Sequence, residues 1–478
     1  WLKLHFTTFL QIFGAVMMAS RRLRAFSSLR SALAAQRVPG APAPSGRHLE
    51  KSLGGQQARN TAESFARFSF RTAANGLEIS PAMRPQRRCI HTSAARAGAG
   101  KKMADEYGNM SSDGETIVLE EFKLESGQVL QKAECRYMTW GKMNAARSNV
   151  VVICHALTGN HNVDAWWGQL LGPGKAFDTN KYFVFAANSL GSCYGTCGPC
   201  TINPDTGKRY GGSFPRVTIR DMVRFQCEVL QSLGVKEVFS VIGGSMGGMI
   251  ALEWVAETRN PPARSLVSLC SSGRHTPWQI GISECQRQAI FADPDWCGGQ
   301  YSIDKPPRTG LSVARMMAMV TYRTHPQYMT KFGRQRGRNN PDVFDVEQYL
   351  QAQGDKFNAR GFDAAAYVSL IYSMDTHDVT REDKDYFEVL RSIKVPAIVV
   401  SISSDVLYPP SEQLELAMHM PNAQHHMIES PEGHDGFLLE STKMSVLIRG
   451  FLAEIESGIK PLAERPGATA PIHQVYWF

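Results

Sequence analysis

The sequence predicts an α/β fold: a mostly parallel sheet with helices on both faces, interrupted by a helical lid insertion. Three observations predict it. Apolar runs of strand length alternate with stretches of helical spacing, and several of these runs end directly in polar, glycine-containing loops. Residues 275–386 then break the rhythm with helical spacings, such as "SECQRQAIFADP" and "GLSVARMMAMVTYR", and show no strand-like run.

Element by element, "TIVLEEFKLESG" (Thr116 to Gly127) alternates as a strand and marks the start of the folded unit. "NVVVICHALTG" (Asn149 to Gly159) is a continuous apolar run, as expected of a strand buried on both faces, and "KYFVFAANSLG" (Lys181 to Gly191) repeats the design. "TIRDMVRFQCEVLQSLGV" has helical spacing and stops at Gly234, and "EVFSVIGG" is the next strand. "SLVSLCSS", "VPAIVVSISSD" and "AQHHMIES" complete the strand set. The expected organisation is a leader over 1–104, core over 105–274, helical lid over 275–386, core again over 387–458, and a tail over 459–478.

With 478 residues, 43% of them hydrophobic and 20% charged, the chain can bury a sizeable core. Its formal charge of +8 is unevenly spread: residues 1–104 hold 17 Lys/Arg against three Glu, or +14, so the remainder carries −6. The folded body therefore gives no reason to expect nucleic-acid binding. "RRLRAFSSLRSALAAQR" from Arg21 has the Arg-, Ala- and Ser-rich composition of an organellar transit peptide, and a mitochondrial location is the expectation. A secretory segment over Leu4 to Ala19 is the rival reading; that run is too short for a membrane span.

Cys193, Cys197 and Cys200 in "GSCYGTCGPC" have neither a fourth ligand at suitable spacing nor paired CxxC units, so reduced thiols are expected there and no metal.

The chemistry concentrates on Ser245 in Gly243-Gly244-Ser245-Met246-Gly247, which fits G-x-S-x-G between a strand and a helix. A phosphate loop would need Lys-Ser/Thr after its last glycine, where Met249 and Ile250 follow Gly248. A hydroxyl is a weak nucleophile that needs a base within reach, and small neighbours permit the sharp turn that exposes it. Asp405 follows a predicted strand, and His434 follows the last one, giving the order nucleophile, acid, histidine. Ser245, Asp405 and His434 are the predicted triad. The amides of Met246 and of Leu157 in "CHALTG" are the predicted oxyanion donors. His419, His425 and His426 are weaker candidates, because they lie within or before a strand.

Ten ordered motifs, among them "VICHALTG", "NSLGSCYGTCGPCTINPDTGKRYG", "VIGGSMGGMIALEW", "GLSVARMMAMVTYRT", "FDAAAYVSLIYSMDTHDV" and "EGHDGFL", resemble the homoserine O-acetyltransferase family of the α/β-hydrolase fold. The resemblance runs from about Gly114 to Leu452. It implies ping-pong acetyl transfer from acetyl-CoA, as co-substrate with no resident cofactor, through an acyl-serine to L-homoserine. It also implies that Arg315 grips the amino acid carboxylate, that Asp435 takes its ammonium, and that two chains pair through the helical insertion. Serine as acceptor, a succinyl donor, and plain ester hydrolysis stay open, because relatives in this family differ in donor and acceptor. Cys197 and Cys200 stand where Thr or Ser is expected, and Ala352 where a larger residue is usual. These departures leave the chemistry standing and touch only the choice of acceptor.

Overall fold

The structure is a computed structural model, described here for residues 114–337, 340–381 and 383–458. The basic leader and the C-terminal tail over 459–478 lie outside the described residues. No described helix is long and apolar enough to cross a membrane.

In chain order the elements are β1 (Glu115–Lys123), β2 (Val129–Trp140), β3 (Val150–Cys154), α1 (Val163–Trp167), β4 (Phe183–Ala187), the short pair β5 (Ile202–Asn203) and β6 (Lys208–Arg209), and α2 (Ile219–Ser232). Then come β7 (Val238–Gly244), α3 (Met246–Ala256) and β8 (Leu266–Leu269). The helices α4 (Pro277–Phe291), α5 (Arg308–Tyr322), α6 (His325–Phe332), α7 (Asp345–Ala359), α8 (Ala364–Asp375) and α9 (Tyr386–Ser392) follow, with no strand between them among the described residues. The described residues close with β9 (Ala397–Ile402), α10 (Pro410–His419), β10 (Ala423–Ile428), α11 (Gly436–Leu439) and α12 (Ser441–Glu456).

Among the described residues, eight strands form one sheet in the order β1-β2-β4-β3-β7-β8-β9-β10. From β4 to β10 every pairing is parallel, and β1 and β2 run antiparallel at one edge. The alternating pattern of β1 reflects that edge: only one face is covered. β2 is the longest strand, and the sequence reading passed over it because Lys, Glu and Arg interrupt its apolar positions. The central strands are different. All five residues of β3, all seven of β7 and all six of β9 are buried, as strands covered by helices on both faces must be. Each fully buried Val, Ile or Leu contributes roughly 1.5–3 kcal/mol relative to exposure.

One core packs the elbow helix α3 and α2 against the sheet; the other packs α1 and α12 on the opposite face. Thr218 caps α2 and shares a reciprocal box with Asp221, which fixes where the helix leaves the preceding loop. Parallel register brings the carboxyl ends of β3, β7, β8, β9 and β10 to one edge of the sheet, where clefts form in open α/β sheets.

Candidate active site

Ser245 sits between β7 and α3 with φ 57° and ψ −126°, a conformation that costs a side-chain-bearing residue about 1–3 kcal/mol. The surroundings impose it. The Ser245 N–H donates to Leu269 O at 2.9 Å, and the Ser245 carbonyl accepts from Gly248 N at 2.9 Å and Met249 N at 3.2 Å. The flanking glycines are there for space: a Cβ at Gly243 would collide with the Gly247 carbonyl, and one at Gly247 with the Cys154 carbonyl at the end of β3. A Cβ at Gly244 would meet the Phe437 ring at 2.6 Å. The turn is thus held against β3, β8 and α11 at once, and the serine is driven out at its apex.

His434 lies in a 3-10 turn, Gly433–Asp435, beyond β10, and its Nδ1 is 2.7 Å from Asp405 Oδ2. Asp405 is in turn held by the amides of Leu407 and Tyr408, each 2.9 Å from Oδ1. With Nδ1 engaged, Nε2 is the nitrogen left for proton transfer. Burial alone would push the His434 pKa down, but the charge and hydrogen bond of Asp405, with Asp435 adding to them, hold it above its ordinary value. Rings of Tyr322, Tyr408 and Phe437 surround the imidazole.

Ser245 and His434 share the wall of a cavity of about 480 Å³, together with Leu157, Arg315, Arg360 and Asp435. Among the described residues no hydrogen bond yet joins the serine hydroxyl to His434, and such bonds often tighten only when substrate is bound. Met246 is the first residue of α3, where helix amides lack an intrahelical acceptor. Leu157 is in the loop after β3, and among the described residues no acceptor takes its N–H.

The helical segment supplies the rest of the wall. Arg315 projects from α5 beside the rings of Tyr322 and Phe357, 5.5 and 5.2 Å from their centroids, and among the described residues no carboxylate pairs with it. Asp435 lies 3.1 Å from Arg323 Nε, and its pKa is pushed up by burial against the opposing charges of Arg323, His434 and Arg315. Arg323 also holds Glu432 at 2.7 Å, which ties the start of α6 to the His434 turn.

Three contributors escaped the sequence reading. Arg323 and Arg360 lie in the helical insertion, where nothing in the spacing says which side chains turn inward. Arg360 Nη2 donates to Thr158 O at 3.1 Å and to the Tyr194 hydroxyl at 3.3 Å. His155 sits inside a strand-end motif and reads as an ordinary core residue.

The other sequence candidates fall elsewhere. His425 Nε2 meets the Ser401 hydroxyl at 2.8 Å across β9 and β10, and His419 packs on Phe387 with ring centroids 4.3 Å apart. Cys193 and Cys197 are buried, and burial raises both thiol pKa values, that of Cys197 to about 12. Cys200 lies 3.6 Å from Arg209 Nη2. Cys193 and Cys197 are therefore poor nucleophiles, and among the described residues no cluster of His, Cys, Asp or Glu could hold a metal.

With this geometry in hand, the likeness to known proteins is specific. Residues 149–441 match the family described as alpha/beta hydrolase fold. A homoserine O-acetyltransferase of Chloroherpeton thalassium is 49% identical over 342 residues, covering 72% of this chain and 89% of the relative. The chain belongs to the homoserine O-acetyltransferase family. Among solved structures, that of a homoserine O-acetyltransferase from Bacillus anthracis superposes with a TM-score of 0.66 at 26% identity, over 71% of this chain and 97% of that one. Esterase E22 superposes equally well, at 25% identity over 71% and 99%. In the homoserine O-acetyltransferase family as elsewhere, fold alone does not choose between water and an amino acid as acceptor.

Proposed function

We propose that this protein transfers an acetyl group from acetyl-CoA to the hydroxyl of L-homoserine through an acetyl-Ser245 intermediate. The observation that carries this reading is the pairing, in one cavity wall with Ser245 and His434, of Arg315, which has no carboxylate partner among the described residues, and Asp435. A cation and an anion at fixed separation orient a zwitterion, which an ester hydrolase has no need to do.

In the first half-reaction His434 Nε2 takes the Ser245 proton as the oxygen attacks the thioester carbonyl. Met246 and Leu157 amides stabilise the oxyanion, the C–S bond breaks, and the thiol leaves with the proton from His434. In the second, His434 takes the proton of the homoserine hydroxyl, that oxygen attacks the acetyl-serine, and Ser245 departs protonated. Asp405 keeps the imidazole in the tautomer that both steps use.

Arg360 favours a second reading: a further cation in the cavity would suit the free carboxylate of a succinyl donor. Following thiol release from acetyl-CoA or succinyl-CoA with homoserine, serine or water separates the choices. Acetyl-CoA with homoserine is expected to be fastest, and release that ignores the amino acid would overturn the transferase reading.

Two further readings accompany it. Exposed Met317, Val320 and Met329 on α5 and α6 support a homodimer formed through the helical insertion, which sedimentation would detect. Import into mitochondria is supported by the leader composition alone, since the relatives named above are bacterial. Fusing residues 18–100 to a reporter tests it, and a cytosolic reporter would reject it.

A further inference from the structure

The peptide between Ala156 and Leu157 carries the amide assigned to the oxyanion, so whatever fixes its carbonyl also aims its N–H. In a trans peptide the two point in opposite directions. The Ala156 carbonyl is held twice: Gly159 N donates to it at 2.8 Å, and His155 Nδ1 lies 2.8 Å from it. The proton on His155 is located by its other nitrogen. Ser189 N–H donates to Nε2 at 2.9 Å, so Nε2 is an acceptor and Nδ1 must bear the hydrogen. The Ser189 hydroxyl lies 3.1 Å from the same nitrogen.

Burial pushes the His155 pKa down to about 4, which keeps the ring neutral and this tautomer in place through the physiological range. Space is tight as well: a Cβ at Gly159 would come within 3.0 Å of His155 Cβ. The imidazole therefore bridges the end of β4, through Ser189, to the loop after β3.

We propose that His155 is a positioning residue for acyl transfer: its Nδ1–H anchors the Ala156 carbonyl and so aims the Leu157 amide at the oxyanion. This rests on the acetyl-Ser245 reading. A carbonyl that already accepts hydrogen bonds polarises its own peptide, so the same contact strengthens the N–H as a donor. His155 touches no substrate in this role and transfers no proton.

The test compares three replacements in the full-length enzyme. His155→Leu removes both bonds, His155→Asn retains an amide N–H near the place of Nδ1, and His155→Gln places it near Nε2 instead. Losing one oxyanion donor outright costs about 10²–10³-fold in kcat, so a misaimed donor should cost about 10–100-fold. His155→Leu and His155→Gln are expected to lose that much in the thiol burst with acetyl-CoA, with KM for homoserine unchanged, and His155→Asn to recover most of it.

Isotope-edited infrared spectra of the acetyl-enzyme supply a readout that a merely structural role would not move. The ester carbonyl stretch should rise in the Leu and Gln variants and return in the Asn variant. An unchanged stretch in Gln, or an Asn variant no better than Gln, overturns the proposal, and the Asn and Gln pair decides even if the Leu variant fails to fold. If wild-type enzyme shows no burst, or Ser245→Ala retains it, the acetyl-serine reading itself has failed.

Discussion

The two walls of the cavity are built in different ways. On the sheet side, Ser245 and Asp405 are held by backbone, through buried parallel strands, amide contacts to the Asp405 carboxylate and glycines pressed against carbonyls, and the oxyanion loop is held by the Gly159 amide and the buried His155 ring. On the helical side, Arg315 and Arg360 reach in on long side chains from α5 and the end of α7, Arg315 steadied by aromatic rings and Arg360 by hydrogen bonds to Thr158 O and the Tyr194 hydroxyl. The difference separates two tasks. The rigid wall suits bond making, where a misplacement of an ångström is costly, and the side-chain wall suits substrate choice, which can be altered without moving the sheet.

The largest test of that division is on the sheet side. Ser245→Ala should lower kcat by at least about 10⁴-fold, and Asp405→Asn by about 10⁴-fold because the imidazole loses the partner that sets its tautomer. Stopped-flow thiol release measures both. Retention of the burst in Ser245→Ala would remove the nucleophile.

On the helical side a smaller and differently shaped loss is expected. Arg315→Met should lower kcat/KM for homoserine by about 30–150-fold, the worth of a charge-assisted pair of roughly 2–3 kcal/mol, through KM more than through the first burst. An equal fall in the acetyl-CoA burst would show that the two walls are not independent.

A third change strikes the rigid wall without touching a reacting atom. Gly247→Ala drives a Cβ into the Cys154 carbonyl, so β3 and α3 must part. Overpacking of this kind costs about 1–3 kcal/mol. Urea denaturation should show that loss together with slower acylation. Full activity with unchanged stability would mean that the elbow is looser than its glycines suggest.

How far the sequence disclosed this arrangement follows the same division. The buried parallel strands were legible as unbroken apolar runs, and the positions of Ser245, Asp405 and His434 after such runs placed them at one sheet edge. The fold class followed from those signals, and the family from the resemblance of the ten ordered motifs. β2 was missed because, next to the edge strand β1, it is covered on one face only and carries its charges on the open one. Arg323 and Arg360 were missed because a helical insertion packs through irregular contacts, and no periodicity states which arginine faces a cavity. His155 was hidden for a third reason: its role lies in a tautomer, set by an amide 34 residues further along the chain.

The smallest expected effect is in pH dependence, and it bears on both walls. His434 must be neutral to take a proton, so kcat/KM should fall on the acid side with an apparent pKa above the ordinary imidazole value. Burial pulls that value down, while Asp405 and, to a lesser extent, Asp435 pull it up. Removing a negative neighbour leaves burial less opposed, so the residual activity of Asp405→Asn should keep its acid limb to lower pH than wild type. Asp435→Asn should move it in the same direction by less, while also weakening homoserine binding. The order of the two shifts is the informative part. If Asp435→Asn moved the limb further than Asp405→Asn, the charge beside the helical wall would govern the base, and the separation of the two walls would have to be redrawn.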